Sequence, residues 1–412
     1  MKRSIFHNEP IIAIDVGTTK ICVLVAQAIS ADELEIIGIG KTPSEGLRKG
    51  IVVDINKTVY SIKKAVQDAE LMAGCKIDSA IIGISGSHIQ SINSQGVVPI
   101  KRSEVTQQDI NNVIISAQAI PISEGKQILH VLPQYFMVDG QERVQDPIGM
   151  HGVRLEVQVH IITGSISCVQ NLIKCCQIAG VQATDIVLEQ LASALAVLSS
   201  DEQQLGVSIL DIGGGTSDLA LYYNKSIFYT SVIPVAGNHF TNDLALGLCT
   251  TLEDAERVKK EHGFVYEISE EFDKNILVES IEGTSSKKIL LTNLTRILRP
   301  RAQELFVLVN EKLNSYEFKS FMPSGLVLTG GGSLLEGMQE LAQETFKIPV
   351  RIGNPGIKYS LLQLLNSPIY ATGYGLLLHA LKKHETLLKN KFTHTFSKRV
   401  VSRMKSWVSD FF

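Results

Sequence analysis

The chain has 412 residues, of which 44% are hydrophobic and 20% are charged, and its formal net charge is −3. This is the composition of a globular protein, and the length is sufficient for two or more domains. The nearly balanced charge gives no reason to expect a nucleic-acid partner. No apolar run reaches the roughly 18 residues of a membrane-spanning helix. The six cysteines form no C-x-x-C pair, which favours buried free thiols over disulfides or a metal site.

A strand, a glycine turn and a returning strand open the chain. Apolar residues run from Ile11 to the turn and again from Ile21 to Ala26. The backbone amides and threonine hydroxyls of such a turn can donate to phosphate oxygens. A carboxylate would repel phosphate, so the acid in the turn indicates Mg²⁺ held through waters. The turn residues are Asp15, Gly17, Thr18, Thr19 and Lys20.

Strand and helix patterns alternate along the next part of the chain. A strand over 36–40, a helix over 57–73 and a strand over 79–85 are predicted. A block of about 80 residues then has a pattern of its own, from about 85 to 164. It predicts strands over 96–100, 128–138 and 155–163 with a helix near 106–119, which is sufficient for a small α/β domain.

A second turn repeats the first one about 196 residues later. The run from Ser208 delivers Asp211, three glycines and a hydroxyl, and a second apolar run follows over 219–223. Two such turns from two halves of the chain predict a nucleotide held between duplicated domains. The residues of this turn are Asp211, Gly213, Gly214, Gly215 and Thr216.

A third glycine cluster follows the buried strand that begins at Gly325. Gly330, Gly331 and Gly332 would let the backbone lie flat against a base or ribose, and a helix capped near Ser333 would follow. A single glycine cluster is more often an ordinary left-handed turn. Three clusters in order, each after an apolar strand, favour the nucleotide interpretation.

The last 32 residues differ in charge from the rest of the chain. They carry eight Lys or Arg against Glu385 and Asp410, a local charge of +6, so the remainder carries −9. Projected as a helix, residues 396–412 separate into a basic polar face and an apolar face. This pattern predicts a helix lying in an anionic membrane interface, and the alternative is a helix docked on protein. The central apolar residues are Val400, Met404, Trp407, Val408 and Phe411.

The three glycine motifs and their order resemble the actin, hexokinase and heat-shock-chaperone ATPase superfamily. The resemblance implies that the two turns are the phosphate loops of this superfamily and that Gly330–Gly332 is its adenosine motif. It also implies ATP and Mg²⁺ as cofactors. It assigns Asp15, Glu189 and Asp211 as catalytic acids, with Glu189 orienting the attacking water from a connecting helix over 185–198. Asp15 and Asp211 would hold Mg²⁺ through waters. Glu256 and Lys259 match an adenosine-side helix, although by themselves they are better explained as a surface ion pair.

The block after residue 85 indicates one family within this superfamily. Its Ser87-His88-Ile89 signature, and the stretch Val232–Asp243, are similar to the FtsA family of bacterial cell-division proteins over about residues 10–412. His88 alone also fits the commoner role of a core or capping histidine. The resemblance implies an actin-like duplicated ATPase fold with an inserted small α/β domain and a C-terminal amphipathic helix. The expected domains are 9–84 with 164–200 and 370–385 (1A), 85–163 (1C, the insert), 201–240 with 300–369 (2A), 241–299 (2B), a linker over 386–395 and the helix over 396–412.

This family resemblance implies an ATP-binding protein that polymerises at the cytoplasmic side of the inner membrane as a peripheral protein. It would anchor the ring of the tubulin-like FtsZ there, hydrolysing ATP slowly at most. The expected partners are the FtsZ C-terminal peptide on 241–299, further copies of the chain, later division membrane proteins and an anionic membrane surface. One alternative is the related ATP-binding protein of type IV pilus assembly. Another is a sugar or acetate kinase, which would have a general-base Asp in the cleft and no membrane helix.

Overall fold

The structure is a computed structural model that describes residues 9–30, 33–267, 273–281, 285–314, 318–360 and 365–383. The proposed linker and amphipathic helix, over 386–412, lie outside the described residues. No helix within the described ranges is long and apolar enough to cross a membrane.

The elements alternate between strands and helices, as the sequence predicts. The strands are β1 Ile11–Val16, β2 Lys20–Ala28, β3 Leu34–Pro43, β4 Leu47–Arg48, β5 Ile51–Val52, β6 Ser79–Ile84, β7 Gln90–Pro99, β8 Lys126–Val138, β9 Arg154–Ser165, β10 Gln182–Leu188, β11 Val207–Ile212, β12 Ser217–Tyr223, β13 Ser226–Ile233, β14 Asn275–Glu279, β15 Ser286–Leu290, β16 Leu326–Thr329, β17 Val350–Ile352 and β18 Tyr359–Ser360. The helices are α1 Ile55–Ala73, α2 Gln107–Gln118, α3 Ile166–Ile178, α4 Glu189–Val197, α5 Ser200–Leu205, α6 Gly237–Gly247, α7 Leu252–His262, α8 Leu291–Asn314, α9 Met338–Phe346 and α10 over 371–383.

Two sheets of matching topology confirm the predicted duplication. The first has the order β10-β6-β1-β2-β3-β18 and the second has the order β13-β12-β11-β16-β17. In each sheet an antiparallel hairpin, β1–β2 or β11–β12, lies beside strands that run parallel to its first member. Strand β6 therefore corresponds to β16, and β10 corresponds to β17.

The two hairpins have the same register at their turns. Asp15 pairs with Cys22 across β1 and β2, and Asp211 pairs with Asp218 across β11 and β12. In the first turn the amide of Gly17 donates to the carbonyl of the residue three positions later at 3.0 Å, and the amide of Gly213 does the same in the second turn. Each turn therefore delivers its carboxylate at the same place relative to its sheet.

The core is arranged in layers. Successive residues of β2 alternate in direction, so that Val23 joins an apolar cluster with α1 and α3 while Leu24 joins one with α10. Helices α4 and α10 also contribute Ala194 and Ala371 to a cluster on the second sheet. These two helices therefore lie between the sheets. They cross closely, because a methyl group at Gly375 would overlap the carbonyl of Ala192.

The block after β6 folds as a separate three-stranded sheet, in the order β7-β9-β8, with α2 on one face. Helix α2 begins with a capping box, in which Thr106 and Asp109 bond reciprocally. Strand β7 begins at Gln90, six residues before the predicted start at residue 96. Its first half is polar and lacks the apolar alternation that identifies a strand, which is why the pattern missed it.

Two predicted helix starts were wrong. Residues 185–188 belong to strand β10, and the helix begins at Glu189 itself. Ser333 does not cap a helix, because its hydroxyl donates to the carbonyl of Gly330 within a short 3₁₀ turn. Helix α9 begins at Met338, after Gly337 with a φ of 86°. The predicted 2A–2B boundaries at 240/241 and 299/300 fall within α6 and α8.

Candidate functional site

One cleft of about 1000 Å³ lies where the two hairpin turns meet. It is lined by both turns, by the start of α4, by the loop after β16 and by α7. All the predicted catalytic and cofactor-binding residues within the described ranges line it: Asp15, Gly17, Thr18, Thr19, Lys20, Glu189, Asp211, Gly213, Gly214, Gly215, Thr216, Glu256, Lys259, Gly330, Gly331 and Gly332. The fold thus brings together residues that are far apart in the sequence.

The first turn carries an ion pair between Lys20 Nζ and Asp15 Oδ2. Asp15 is 4% exposed, so this pair is shielded from water. Burial alone would lower the pKa of Lys20, but the charge and hydrogen bond of Asp15, with smaller effects of Cys22 and Glu189, together outweigh it, and the net pKa lies above the ordinary value. Lys20 is therefore a permanent positive charge in the cleft.

Asp211 of the second turn is fixed by hydroxyl groups from the two crossing helices. Ser193 of α4 donates to Asp211 Oδ2, and Thr372 of α10 donates to the same oxygen at 3.1 Å. Burial raises the pKa of Asp211, and the nearby Asp15 charge raises it further against these hydrogen bonds. One carboxylate oxygen is thus committed to protein donors.

Glu189 is the first residue of α4 and follows β10 directly. Its side chain packs beside Gly83, where a Cβ would lie 3.3 Å from Glu189 Cγ. Burial raises the pKa of Glu189 well above its usual range, and repulsion from Asp15, Asp218 and Asp211 adds to the effect. Positive charge entering the cleft would favour the ionised carboxylate.

Asp218 is a fourth buried acid in the cleft, which the sequence interpretation did not assign. Ser85 Oγ donates to its Oδ1 at 2.5 Å, and Thr216 Oγ1 donates to its Oδ2 at 3.0 Å. Burial raises the pKa of Asp218 to about 7, against the Ser85 hydrogen bond. The signal was present in the sequence, because Asp218 follows the second turn and pairs with Asp211 across the hairpin.

The two turns lie directly against each other. A methyl group at Gly214 would overlap Thr19 Oγ1, and one at Gly215 would lie 2.5 Å from Thr18 Oγ1. The sequence predicted that these glycines leave room for a ligand, and the structure shows that they also let the two turns approach. A side chain at Gly214 would consequently disturb the packing of the protein itself.

The three glycines of the third cluster have different roles. Gly330 has a φ of 80°, and a Cβ there would overlap Asp211 Oδ1, so only glycine fits without strain. A Cβ at Gly332 would overlap Ile212. At Gly331 the nearest atom is Ile369 Cγ1, at 3.8 Å. Gly331 is therefore the glycine of this cluster whose open side faces the cleft.

Glu256 and Lys259 form an ion pair of 2.6 Å on α7, with side chains 26% and 15% exposed. Lys259 Nζ also donates to the carbonyl of Gly237 and to Thr241 Oγ1, and Lys260 approaches Glu256 at 3.0 Å. Burial alone would raise the pKa of Glu256, but the Lys259 charge and the hydrogen bonds from Lys259, Thr241 and Lys260 together outweigh it, and the net pKa lies below the usual value. This pair lines the cleft and is not an ordinary surface pair.

The far end of the cleft holds aromatic residues that the sequence interpretation also left unassigned. The ring centroids of Phe264 and Tyr266 are 4.9 Å apart, and Tyr266 Oη donates to Glu336 Oε1 at 2.8 Å. All three residues line the cleft next to the third glycine cluster. They give this end an apolar wall with a polar rim. The predicted membrane residues Val400, Met404, Trp407, Val408 and Phe411 lie outside the described residues.

Comparisons with solved structures match the overall fold of the chain. The chain superposes on the PilM-PilN type IV pilus biogenesis complex with a TM-score of 0.67 at 18% identity, over 91% of this chain and 99% of the other. It superposes on MreB5 of Spiroplasma citri bound to ADP with a TM-score of 0.56 at 17% identity, over 92% and 99%. The class is therefore an actin-like fold of two α/β halves, as the sequence predicts.

Sequence comparisons identify the family. The family model for the cell division protein FtsA matches residues 208–375, and the model for the SHS2 domain inserted in FtsA matches residues 86–163. The cell division protein FtsA of Pseudomonas aeruginosa is 41% identical over 98% of this chain and 99% of its own length. The Escherichia coli K12 protein of the same name is 36% identical over 97% and 95%. The chain belongs to the FtsA family and is an actin-like cell-division protein.

The buried acids predict how stability without nucleotide depends on pH. The pKa of Asp218 is about 7 in the folded protein and near 3.8 when it is exposed, so the folded state binds the proton more tightly. The contribution of this proton to the free energy of unfolding is fully present below about pH 4 and is lost as pH rises through about 7. The melting temperature of the nucleotide-free protein should fall from about pH 5 to pH 8, reflecting a loss on the order of 2 kcal/mol.

Asp218→Asn is the matching variant, because an amide oxygen still accepts from Ser85 and carries no charge. Its melting temperature should depend less steeply on pH than that of the wild type, as followed by circular dichroism. Equal slopes for the two proteins would contradict the assignment of this effect to Asp218.

Proposed function

We propose that the cleft binds ATP, with the phosphates between the two hairpin turns and the adenosine at the third glycine cluster. The observation that carries this proposal is the pair of matching turns that face each other across one cavity. Their amides, with the hydroxyls of Thr18 and Thr19, supply donors suited to phosphate oxygens. Lys20 and Lys259 add positive charge on either side. The Phe264 end supplies the apolar wall that a base requires.

Magnesium fits the acids of this site. Glu189, Asp211 and Asp218 have raised pKa values because they are buried near one another, so a divalent cation would relieve their repulsion. Within the described ranges no three acidic, histidine or cysteine side chains are close enough to enclose a metal ion. Asp15 and Asp211 would therefore hold a magnesium ion through waters, with the phosphates as its direct ligands.

Glu189 is proposed to orient the attacking water, and Lys20 to stabilise charge on the phosphates. The ion would supply electrostatic stabilisation of the phosphoryl group. Glu189 extends from the rigid start of α4, and in its ionised form it can accept a proton from water. Because Asp211 is held by Ser193 and Thr372, its orientation needs little rearrangement. The proposed activity is that of a slow ATPase, in a protein that acts as a nucleotide-dependent polymer.

At the cellular level we propose that the protein polymerises with ATP and anchors the FtsZ ring to the cytoplasmic face of the inner membrane. Membership of the FtsA family supports a role in division. The segment 241–299 (2B) would bind the FtsZ C-terminal peptide, and the insert over 85–163 (1C) would face neighbouring subunits and later division proteins. Two large subdomains would be formed by the remaining divisions, which are 9–84 with 164–200 and 370–385 (1A), and 201–240 with 300–369 (2A). The helix over 396–412 would bind anionic lipid as a peripheral anchor after the linker.

Gly331→Val tests the nucleotide site with little disturbance of the protein, since the Cβ position is open. Overpacking the proposed adenosine surface should weaken ATP binding by roughly tenfold or more. Gly331→Ala should weaken it less, and both variants should keep the wild-type melting temperature. Titration with a fluorescent ATP analogue measures the affinity. Wild-type affinity in Gly331→Val would exclude adenosine from this surface.

Glu189→Gln tests the hydrolytic role. A water-orienting carboxylate contributes to the transition state and little to ground-state contacts, so affinity for ATP with Mg²⁺ should stay within a few-fold of that of the wild type. Any ATPase rate should fall by roughly 100-fold or more, because general-base catalysis contributes in the transition state. Phosphate release under single-turnover conditions gives the rate. An unchanged rate with weakened binding would reverse the assigned role.

Trp407→Glu tests the membrane anchor. It places a charge in the proposed apolar face and should release the protein from liposomes containing anionic lipid, while ATP binding is unaffected. Ser402→Glu, on the polar face, is the matched control and should weaken binding slightly and in a salt-dependent way. One tail should bind reversibly, so co-sedimentation should increase with ATP-dependent assembly. Retention of both variants on liposomes would indicate a helix docked on protein.

A further inference from the structure

Side chains of the inserted domain cover the outer edge of the second sheet. Strand β13 is the end strand of that sheet in the described part of the chain. Ser91 Oγ donates to the carbonyl of Thr230 at 2.9 Å, and Asn93 Nδ2 donates to the carbonyl of Phe228 at 3.4 Å. An uncovered edge strand presents carbonyls that lack hydrogen-bond donors. Here side chains of the insert supply the donors.

Gln134 of β8 makes two further contacts with this strand and is 2% exposed. Its Nε2 donates to the carbonyls of Ile227 and Phe228, at 3.0 and 3.3 Å. Two successive carbonyls can face one donor because the pairing of β12 with β13 shifts by one residue at Phe228, which is a β-bulge. The edge of the sheet is therefore shaped to receive this side chain.

His160 of β9 completes the contact and is 1% exposed. Its Nε2 lies 2.9 Å from Thr230 Oγ1, and its Nδ1 lies 2.6 Å from Asn93 Oδ1. Burial lowers the pKa of His160 to about 4, so the ring is neutral, and Nδ1 carries the proton for the Asn93 oxygen. We name the side chains of Ser91, Asn93, Gln134 and His160 the edge clasp.

The insert also contacts the second half at its root, inside the cleft. Ser85 is the first residue of the insert, and its hydroxyl donates to Asp218 Oδ1 and lies 3.3 Å from Thr216 Oγ1. Both partners belong to the second hairpin. The insert is therefore joined to the first half by its two chain connections and to the second half by hydrogen bonds at two separate places.

We propose that the inserted domain is a strap across the two halves, and that the edge clasp limits the rate at which the cleft opens to release nucleotide. This inference rests on the proposed nucleotide site. Opening requires the second half to move relative to the first, and such a motion separates β13 from the insert. Clasp hydrogen bonds that break on the way to the open state slow release while affecting entry less.

The test uses the double variant Ser91→Ala/Asn93→Ala in the full chain. Both side chains lie on the surface-facing part of β7, so the core of the insert is preserved. Gln95→Ala is the matched control, because Gln95 lies on the same face of β7 and its amide donates to Glu156, at 2.8 Å, within the insert. Gln134→Ala is a second clasp variant. Melting curves by circular dichroism verify that each variant is folded.

Stopped-flow displacement of a fluorescent ATP analogue with Mg²⁺ measures the release rate. Release should be faster by about fivefold or more in both clasp variants and should change by less than about twofold in Gln95→Ala. Wild-type release rates in both folded clasp variants would overturn the strap while leaving the nucleotide site intact. Failure of the wild-type protein to bind the analogue would instead overturn the proposed function, and the strap with it.

Discussion

The contact between the two hairpin turns is the constraint on which the cleft depends. Gly214 and Gly215 lie so close to Thr19 and Thr18 that neither glycine could carry a side chain. This contact fixes the separation of the two halves at the point where both deliver carboxylates. The acids are therefore held together by backbone packing, and their mutual repulsion is tolerated because the rest of the core stabilises both turns.

Burial of these acids explains the chemistry that the cleft favours. Lys20 compensates Asp15, but Glu189, Asp211 and Asp218 are left with raised pKa values. Negative charge on these carboxylates is costly while no cation is bound, and it becomes favourable when a cation enters the site. These acids favour a ligand that brings positive charge, and the hydroxyls on Asp211 keep that residue oriented beforehand.

Local motifs were predictable from the sequence, and long-range pairings were not. The hairpin turns depend on glycines and apolar runs within about 15 residues, so both were predicted with their acids. The ion pair of Glu256 and Lys259 has the spacing of any surface pair, and only the fold shows that it faces the cleft. The start of β7 was missed because its polar residues serve the edge of another sheet. The strand to which they bond is β13, which is over 100 residues away in the sequence.

The duplication explains why the insert contacts the cleft. In both sheets the strand beside the hairpin runs parallel to its first member, so its carboxyl end reaches the cleft, where ligands of such sheets bind. In the second half this position holds Gly330, which opens the glycine cluster. In the first half it holds Ser85, which begins the insert. The same topological position therefore holds a glycine cluster that lines the cleft in one half and the root of a domain in the other. A domain attached there contacts the second hairpin at once through Ser85 and Asp218, whereas a domain inserted at an outer loop would reach the cleft only indirectly.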